Sequence, residues 1–201
     1  MYYVFSKNSG LDRFSSYYYQ LREIFNLKPE SLLEIGVGDK VIASYIKNNT
    51  DMRYVSADYS AKLNPDVVAD VRKLPFIDNQ FDLVCAFEVL EHLPFEDFEH
   101  SVRELLRVAK KNVIISMPHW GRSFAFSIQL PFIGIKKFNF KLPYALFKIK
   151  HKFNGEHHWE IGKDAYPVSR IKKAIAQAGG KLQRDFVPTE NTYHHFFVIN
   201  K

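Results

Sequence analysis

Apolar residues at Phe14, Tyr17, Tyr18, Leu21, Ile24 and Phe25 recur at three- and four-residue steps, which predicts an amphipathic helix near the start of the chain. Pro29 closes it. Ser31–Ile35 is a short apolar run halted at Gly36, the pattern of a buried strand. Asp39 is placed to cap a following helix with Val41, Ile42, Tyr45 and Ile46 on its inner side. Further strands are expected over Arg53–Ala57, Asp66–Ala69, Asp82–Phe87 and Asn112–Met117. A helix from Pro94 to Val108 separates the last two, with Phe95, Phe98, Val102, Leu105 and Leu106 on one face and Pro94 at its first turn. The last helix, Pro167 to Ala178, stops at Gly179-Gly180, and Pro188–Thr192 joins Lys181–Val187 to Tyr193–Asn200 as a hairpin.

Short apolar strands alternating with helices argue for an α/β fold with a mostly parallel sheet, to which the final hairpin adds an antiparallel strand. We expect one domain over residues 1–201, with a cap helix within 1–30 and an insertion or lid over 118–160. From Pro118 to Gly155 there are nine aromatic residues and no clean strand pattern. That segment is much longer than the roughly 2–6 residues usual for a connection, which points to a lid.

Composition adds exclusions. With 46% hydrophobic and 25% charged residues the chain can bury a core. No eighteen apolar residues run together, and Met1–Lys7 lacks the basic-then-apolar order of a secretory signal. Cys85 is the only cysteine, so an internal disulfide and a cysteine-rich zinc site are excluded and a cytoplasmic location is expected. The net charge of +6 is unevenly spread: Leu105–Gly155 has ten cations and no Asp or Glu, leaving 18 basic against 22 acidic residues elsewhere. The body is mildly acidic and carries one basic segment.

In open α/β sheets ligands bind beyond the C-terminal strand ends. After the first strand stands Glu34-Ile35-Gly36-Val37-Gly38-Asp39-Lys40. Val41 occupies the third glycine position of the dinucleotide fingerprint, and there is no phosphate loop, so neither NAD nor ATP is expected. Asp58 ends the second strand twenty-two residues after Gly36, the spacing of a carboxylate that accepts from ribose hydroxyls. Asp70 ends the third. Three carboxylates at successive strand ends suit a cationic nucleoside better than an anionic dinucleotide.

These residues, with Leu74-Pro75-Phe76, Phe81-Asp82-Leu83-Val84 and Glu88-Val89-Leu90-Glu91-His92-Leu93, resemble in order and spacing the class I S-adenosylmethionine-dependent methyltransferases, particularly the small-molecule branch. The departure is Lys40, where the family's first motif usually has a third glycine. The resemblance covers Ser31 to Met117 closely. It implies a Rossmann-like seven-stranded sheet in the order 3-2-1-4-5-7-6, with S-adenosylmethionine as donor and S-adenosylhomocysteine as product. It further implies that Glu34 and the Gly36–Gly38 backbone hold the methionine end, that Asp58 takes the ribose hydroxyls and that Tyr59 lies against the adenine. Asp70 and the Val71 amide would meet the adenine edge, and Phe87 and Glu88 would line the space near the methyl.

A base is needed only where the acceptor must lose a proton. His119, after the fifth strand, and His92 are the catalytic candidates. His157 and His158 read as a substrate-facing lid segment, and no metal site is expected, since adjacent side chains need not converge. The expected activity is methyl transfer to a small-molecule or lipid- or saccharide-linked acceptor, anionic in part, with peripheral membrane contact through Lys136–Phe153. An RNA methyltransferase and a non-catalytic binding domain are the alternatives. Nucleic acid is disfavoured by Phe87-Glu88-Val89-Leu90, where base-modifying relatives carry an Asn/Asp-Pro-Pro-aromatic tetrad. Oligomeric state is not fixed by these patterns.

Overall fold

The computed structural model describes residues 10–142 and 149–201. The chain runs α1 (Leu11–Leu27), β1 (Ser31–Ile35), α2 (Val41–Asn49), β2 (Arg53–Asp58), β3 (Val67–Val68), β4 (Phe81–Phe87), α3 (Phe98–Val108) and β5 (Ala109–Pro118). Then come β6 (Ser123–Leu130), β7 (Gly134–Lys141), α4 (Val168–Gln177), β8 (Lys181–Phe186) and β9 (His194–Asn200). Seven strands form one sheet in the order β3-β2-β1-β4-β5-β9-β8. All pairs are parallel except those of β9, which runs antiparallel to β5 and β8. This is the expected Rossmann-like order.

The central strands read as continuous apolar runs because helices cover both faces. β1 and β4 are buried along their whole length. One core layer packs α3 and α4 against Leu33, Val84, Val113 and Ile115, and the other packs α1 and α2 against Leu32, Leu83, Cys85 and Ile114.

Three expectations need correction. The strand placed at Asp66–Ala69 is only Val67–Val68, because Asp66 turns its side chain back to the Ser56 amide and hydroxyl, each 2.8 Å away. The buried face of α1 is rotated from Phe14, Tyr18 and Phe25, which are exposed, to Ser16, Tyr17, Gln20, Glu23 and Ile24. The polar members of that face have distant partners: Ser16 Oγ lies 2.7 Å from His194 Nδ1, and Arg184 donates to Glu23. Third, the segment read as strandless contains the antiparallel pair β6–β7, registered Phe124↔Phe140 and Phe126↔Phe138.

The β6–β7 hairpin has two unlike faces, as strand alternation requires. Its polar face holds it to the domain: Asn139 Nδ2 donates to Val187 O at 2.7 Å, Ser123 and Thr192 share a 2.7 Å hydroxyl contact, and Lys137 pairs with Glu190. Its apolar face points outward, with Phe124 stacked on Phe140 and Phe126 on Phe138, all four about half exposed. No helix among the described residues is long and apolar enough to cross a membrane. Lys148, within the basic segment, lies outside the described residues.

Candidate functional site

A cleft of about 810 Å³ opens at the C-terminal ends of β1, β2 and β4, roofed by α1. Glu34, Gly36, Gly38, Asp58 and Tyr59 line one part of it, and Asp70, Val71, Phe87 and Glu88 another. In all, seven carboxyl side chains (Glu34, Asp39, Asp58, Asp70, Glu88, Glu91, Glu156) face two guanidinium groups, Arg13 and Arg72. Within a chain of net charge +6 this is an acidic hollow, suited to a cation.

The turn after β1 is built by backbone geometry. Gly36 has φ +82°, and a Cβ there would stand 2.4 Å from Val89 Cγ2, so no larger residue fits between β1 and the turn after β4. Lys40, in the third glycine position, takes the left-handed φ of 65° that glycine would, and its Nζ donates to Asn64 O at 2.9 Å. Asp39 is not itself the N-cap of α2, which is Lys40; its Oδ1 accepts from the Val41 amide at 3.4 Å and its Oδ2 from Tyr17.

Each strand-end carboxylate has a distinct environment. Asp58 Oδ2 accepts from the Val37 amide at 3.0 Å and Oδ1 from the Ser60 amide at 2.8 Å. Asp70 pairs with Arg72, whose Nη2 lies 2.6 Å away and whose hydrogen bonds hold the carboxyl below its ordinary range. Glu34 is buried and accepts from the Tyr54 hydroxyl. Burial pushes it up to about 8, with the Tyr54 hydrogen bond acting in the opposite direction.

At the other end of the cleft Glu88 takes φ +54° and accepts from Ser116 Oγ at 2.7 Å, with His194 Nε2 3.5 Å from its other oxygen. Glu91 is fully buried, and among the described residues neither of its carboxylate oxygens has a hydrogen-bond partner. Burial, then the nearby Glu88 and Glu160, push its carboxyl well above the usual range.

His92 and His157 line the cleft, whereas His158 is exposed and packs on Phe153 at 4.7 Å. His119 is outside it, and this corrects the expected position of the base. Its ring stacks on His195 at 5.0 Å, its Nδ1 lies 3.0 Å from His195 Nδ1, and His195 Nε2 lies 2.9 Å from Asp185 Oδ2. Burial drives His119 down to about 2 and His195 to about 4. Adjacent residues on a strand point to opposite faces. His195 therefore joins His119, while His194 faces the cleft between Ser16 and Glu88. Sequence reasoning missed His194. Of the three consecutive tyrosines in α1, Tyr17 lines the cleft, Tyr18 is exposed and Tyr19 packs on Phe186.

Residues 33–117 match the family described as a methyltransferase domain. No curated protein matches the chain in sequence. An S-adenosylmethionine-dependent methyltransferase from Mesorhizobium loti is similar in structure, with a TM-score of 0.61 at 15% identity over 96% of this chain and 100% of that one. A second such methyltransferase, from Clostridium acetobutylicum, gives 0.58 at 10% identity over 90% and 89% of the two chains. The glycopeptide N-methyltransferase MtfA, complexed with S-adenosyl-L-homocysteine, gives 0.60 at 8% identity over 92% and 88%.

Proposed function

We propose that the chain is a class I S-adenosylmethionine-dependent methyltransferase whose acceptor is an anionic, partly apolar molecule, lipid-linked and met at a membrane surface. The donor is S-adenosylmethionine, which supplies an electrophilic methyl on a positively charged sulfur. The residues present fit it, because the cleft is lined by seven carboxyl groups and only two guanidinium groups. On this reading Asp58 takes the ribose hydroxyls, Tyr59, Asp70 and Val71 hold the adenine, and Glu34 with the Gly36–Gly38 backbone holds the methionine end. Phe87 and Glu88 bound the space where the acceptor approaches. Placement of the two reactants in line supplies much of the acceleration. His194, beside Glu88, is the histidine positioned to take a proton from the acceptor.

The observation that carries the acceptor class is the β6–β7 hairpin. Its phenylalanine ladder faces outward, its tip exposes Phe132 and Ile133, and the acid-free segment around it brings Lys136, Lys150 and Lys152. Apolar and cationic groups together match an anionic lipid surface. The test is transfer of labelled methyl groups into cell extract separated into lipid and aqueous fractions. Label in the lipid fraction supports the proposal; label confined to the aqueous fraction overturns it.

A further inference from the structure

We propose that Glu91, His92 and His157 form a binding site for a divalent transition-metal cation in the cleft, reached from solvent through the exposed His92. One potential ligand atom from each of the three lies within 4.8 Å of the others, and all three line the cleft. The independent observation is the state of Glu91. Its carboxyl group is completely buried, and both oxygens lack a partner among the described residues. A buried carboxyl is stable when paired, hydrogen-bonded, bound to metal or kept neutral; among the described residues this one has neither of the first two, and two imidazoles stand beside it.

The surroundings of the histidines supply what a metal site needs beyond its ligands. His92 Nδ1 lies 3.0 Å from the Glu156 carbonyl, which can only accept, so this nitrogen carries the proton and Nε2 keeps its lone pair. His157 Nδ1 lies 3.3 Å from Glu160 Oε1, which assigns the same tautomer. Glu160 is in turn fixed by Lys163 Nζ at 2.9 Å. Carboxylate, imidazole and metal in series is a recurrent arrangement for orienting a ligand. The two pieces of chain are clamped together: the His158 amide donates to Glu91 O at 2.8 Å and the buried Trp159 Nε1 donates to Leu93 O at 3.1 Å.

Two imidazoles and one carboxylate leave coordination positions for water or a substrate oxygen. Imidazole donors favour Zn²⁺, Co²⁺ or Fe²⁺ over Mg²⁺ and Ca²⁺, which prefer oxygen-only sets. The site stands on geometry alone. Its consequence, an acceptor that presents a coordinating oxygen, rests on the methyltransferase reading.

The test uses the full chain after chelator treatment, titrated with Zn²⁺ by calorimetry and with Co²⁺ by visible spectroscopy, with S-adenosylhomocysteine binding measured in parallel. We expect one equivalent of Zn²⁺ and a Co²⁺ spectrum with nitrogen ligands, neither displaced by Mg²⁺. His157→Ala and Glu91→Gln should each abolish stoichiometric binding, Glu160→Gln should weaken it roughly 10–100-fold, and His100→Ala should leave it unchanged. His157 is a partly accessible loop residue, so its variant remains informative if Glu91→Gln does not fold. Absence of stoichiometric Zn²⁺ binding, or binding unaltered in His157→Ala, overturns the site. If S-adenosylhomocysteine binds and Zn²⁺ does not, the metal site falls and the donor reading stands; the reverse result separates them the other way.

Discussion

The Val37 amide donates to Asp58 Oδ2 at 3.0 Å, so one carboxylate ties the glycine turn after β1 to the end of β2. Asp58 thus holds the loop as well as facing the ribose end of the donor. Asp58→Ala removes charge-assisted hydrogen bonds of about 1.5–3 kcal/mol each. Calorimetry should show S-adenosylhomocysteine binding at least tenfold weaker in Asp58→Ala, and a smaller loss in Asp58→Asn, which keeps one acceptor oxygen. Unchanged affinity in the alanine variant would remove Asp58 from the donor site.

The part of this arrangement that was legible in the chain is the part fixed by local pattern. Ser31–Ile35 and Asp82–Phe87 announce buried strands, and topology then places whatever follows them at the sheet's C-terminal edge. What escaped depended on partners distant in sequence. Ser16 and Glu23 read as a solvent face because His194 and Arg184, some 160 to 180 residues away, are what make their burial affordable. His194 and His195 differ only in strand parity, which no composition argument resolves. The hairpin did carry a signal, the alternation Phe124, Phe126, Ile128, Leu130. Alternation ordinarily marks one buried face, whereas here both faces of the strand are largely exposed.

Glu34 couples donor binding to pH. Its carboxyl is raised to about 8 by burial, so near neutrality it is mostly protonated, and a cationic donor end favours its ionised form. Donor affinity should therefore rise with pH up to about 8, by at most about tenfold per unit. For the protein alone the sign is reversed. A folded-state value above the unfolded 4.5 means that stability is greatest below 4.5 and lost as pH rises toward 8, at up to about 1.4 kcal/mol per unit. Glu34→Gln should flatten both dependences. A wild-type pH slope preserved in Glu34→Gln would assign the proton elsewhere.

The stacked pair His119 and His195 makes the opposite contribution. Burial holds them down to about 2 and about 4, against 6.5 for an ordinary histidine. Between about 4 and 6.5 the unfolded chain binds more protons, so these residues cost stability as pH falls through that window. Other buried groups titrate in the same range, so the check is a difference. Urea midpoints of wild type and His119→Asn should converge as pH drops from 7 to 5, by up to about 1.4 kcal/mol per unit. Parallel curves would mean that His119 is protonated in the folded protein.

His194 and His119 should separate kinetically. His194 borders the cleft 3.5 Å from Glu88, whereas His119 is turned away from it. With an acceptor that must be deprotonated, His194→Ala should lower kcat by roughly 10²–10⁴-fold while leaving donor affinity nearly constant. His119→Ala should lower thermal stability and spare kcat per folded molecule. A larger kcat loss in His119→Ala would return the base to β5.

The hairpin gives the last prediction. Its polar face is fastened to the domain through Asn139 and Lys137, so the outward phenylalanines are held in place, and Phe132 at the tip is fully exposed. Lysines near an anionic surface contribute about 1 kcal/mol each. Lys137 pairs with Glu190, so the cations to vary are Lys136 on the hairpin and Lys150 and Lys152 of the same acid-free segment, alongside the exposed Phe124, Phe126 and Phe132. The protein should sediment with anionic vesicles at low salt and remain in solution with neutral ones. Replacing Lys136, Lys150 and Lys152 with Gln should shift binding to lower salt, by about tenfold in affinity for each 1.4 kcal/mol lost. Phe132→Ser should weaken binding without changing its salt dependence, because insertion of a ring is not electrostatic. Equal binding to neutral vesicles would discard the charge argument. Self-association in the absence of lipid, abolished by Phe126→Ser, would instead make this face a contact between two copies of the chain.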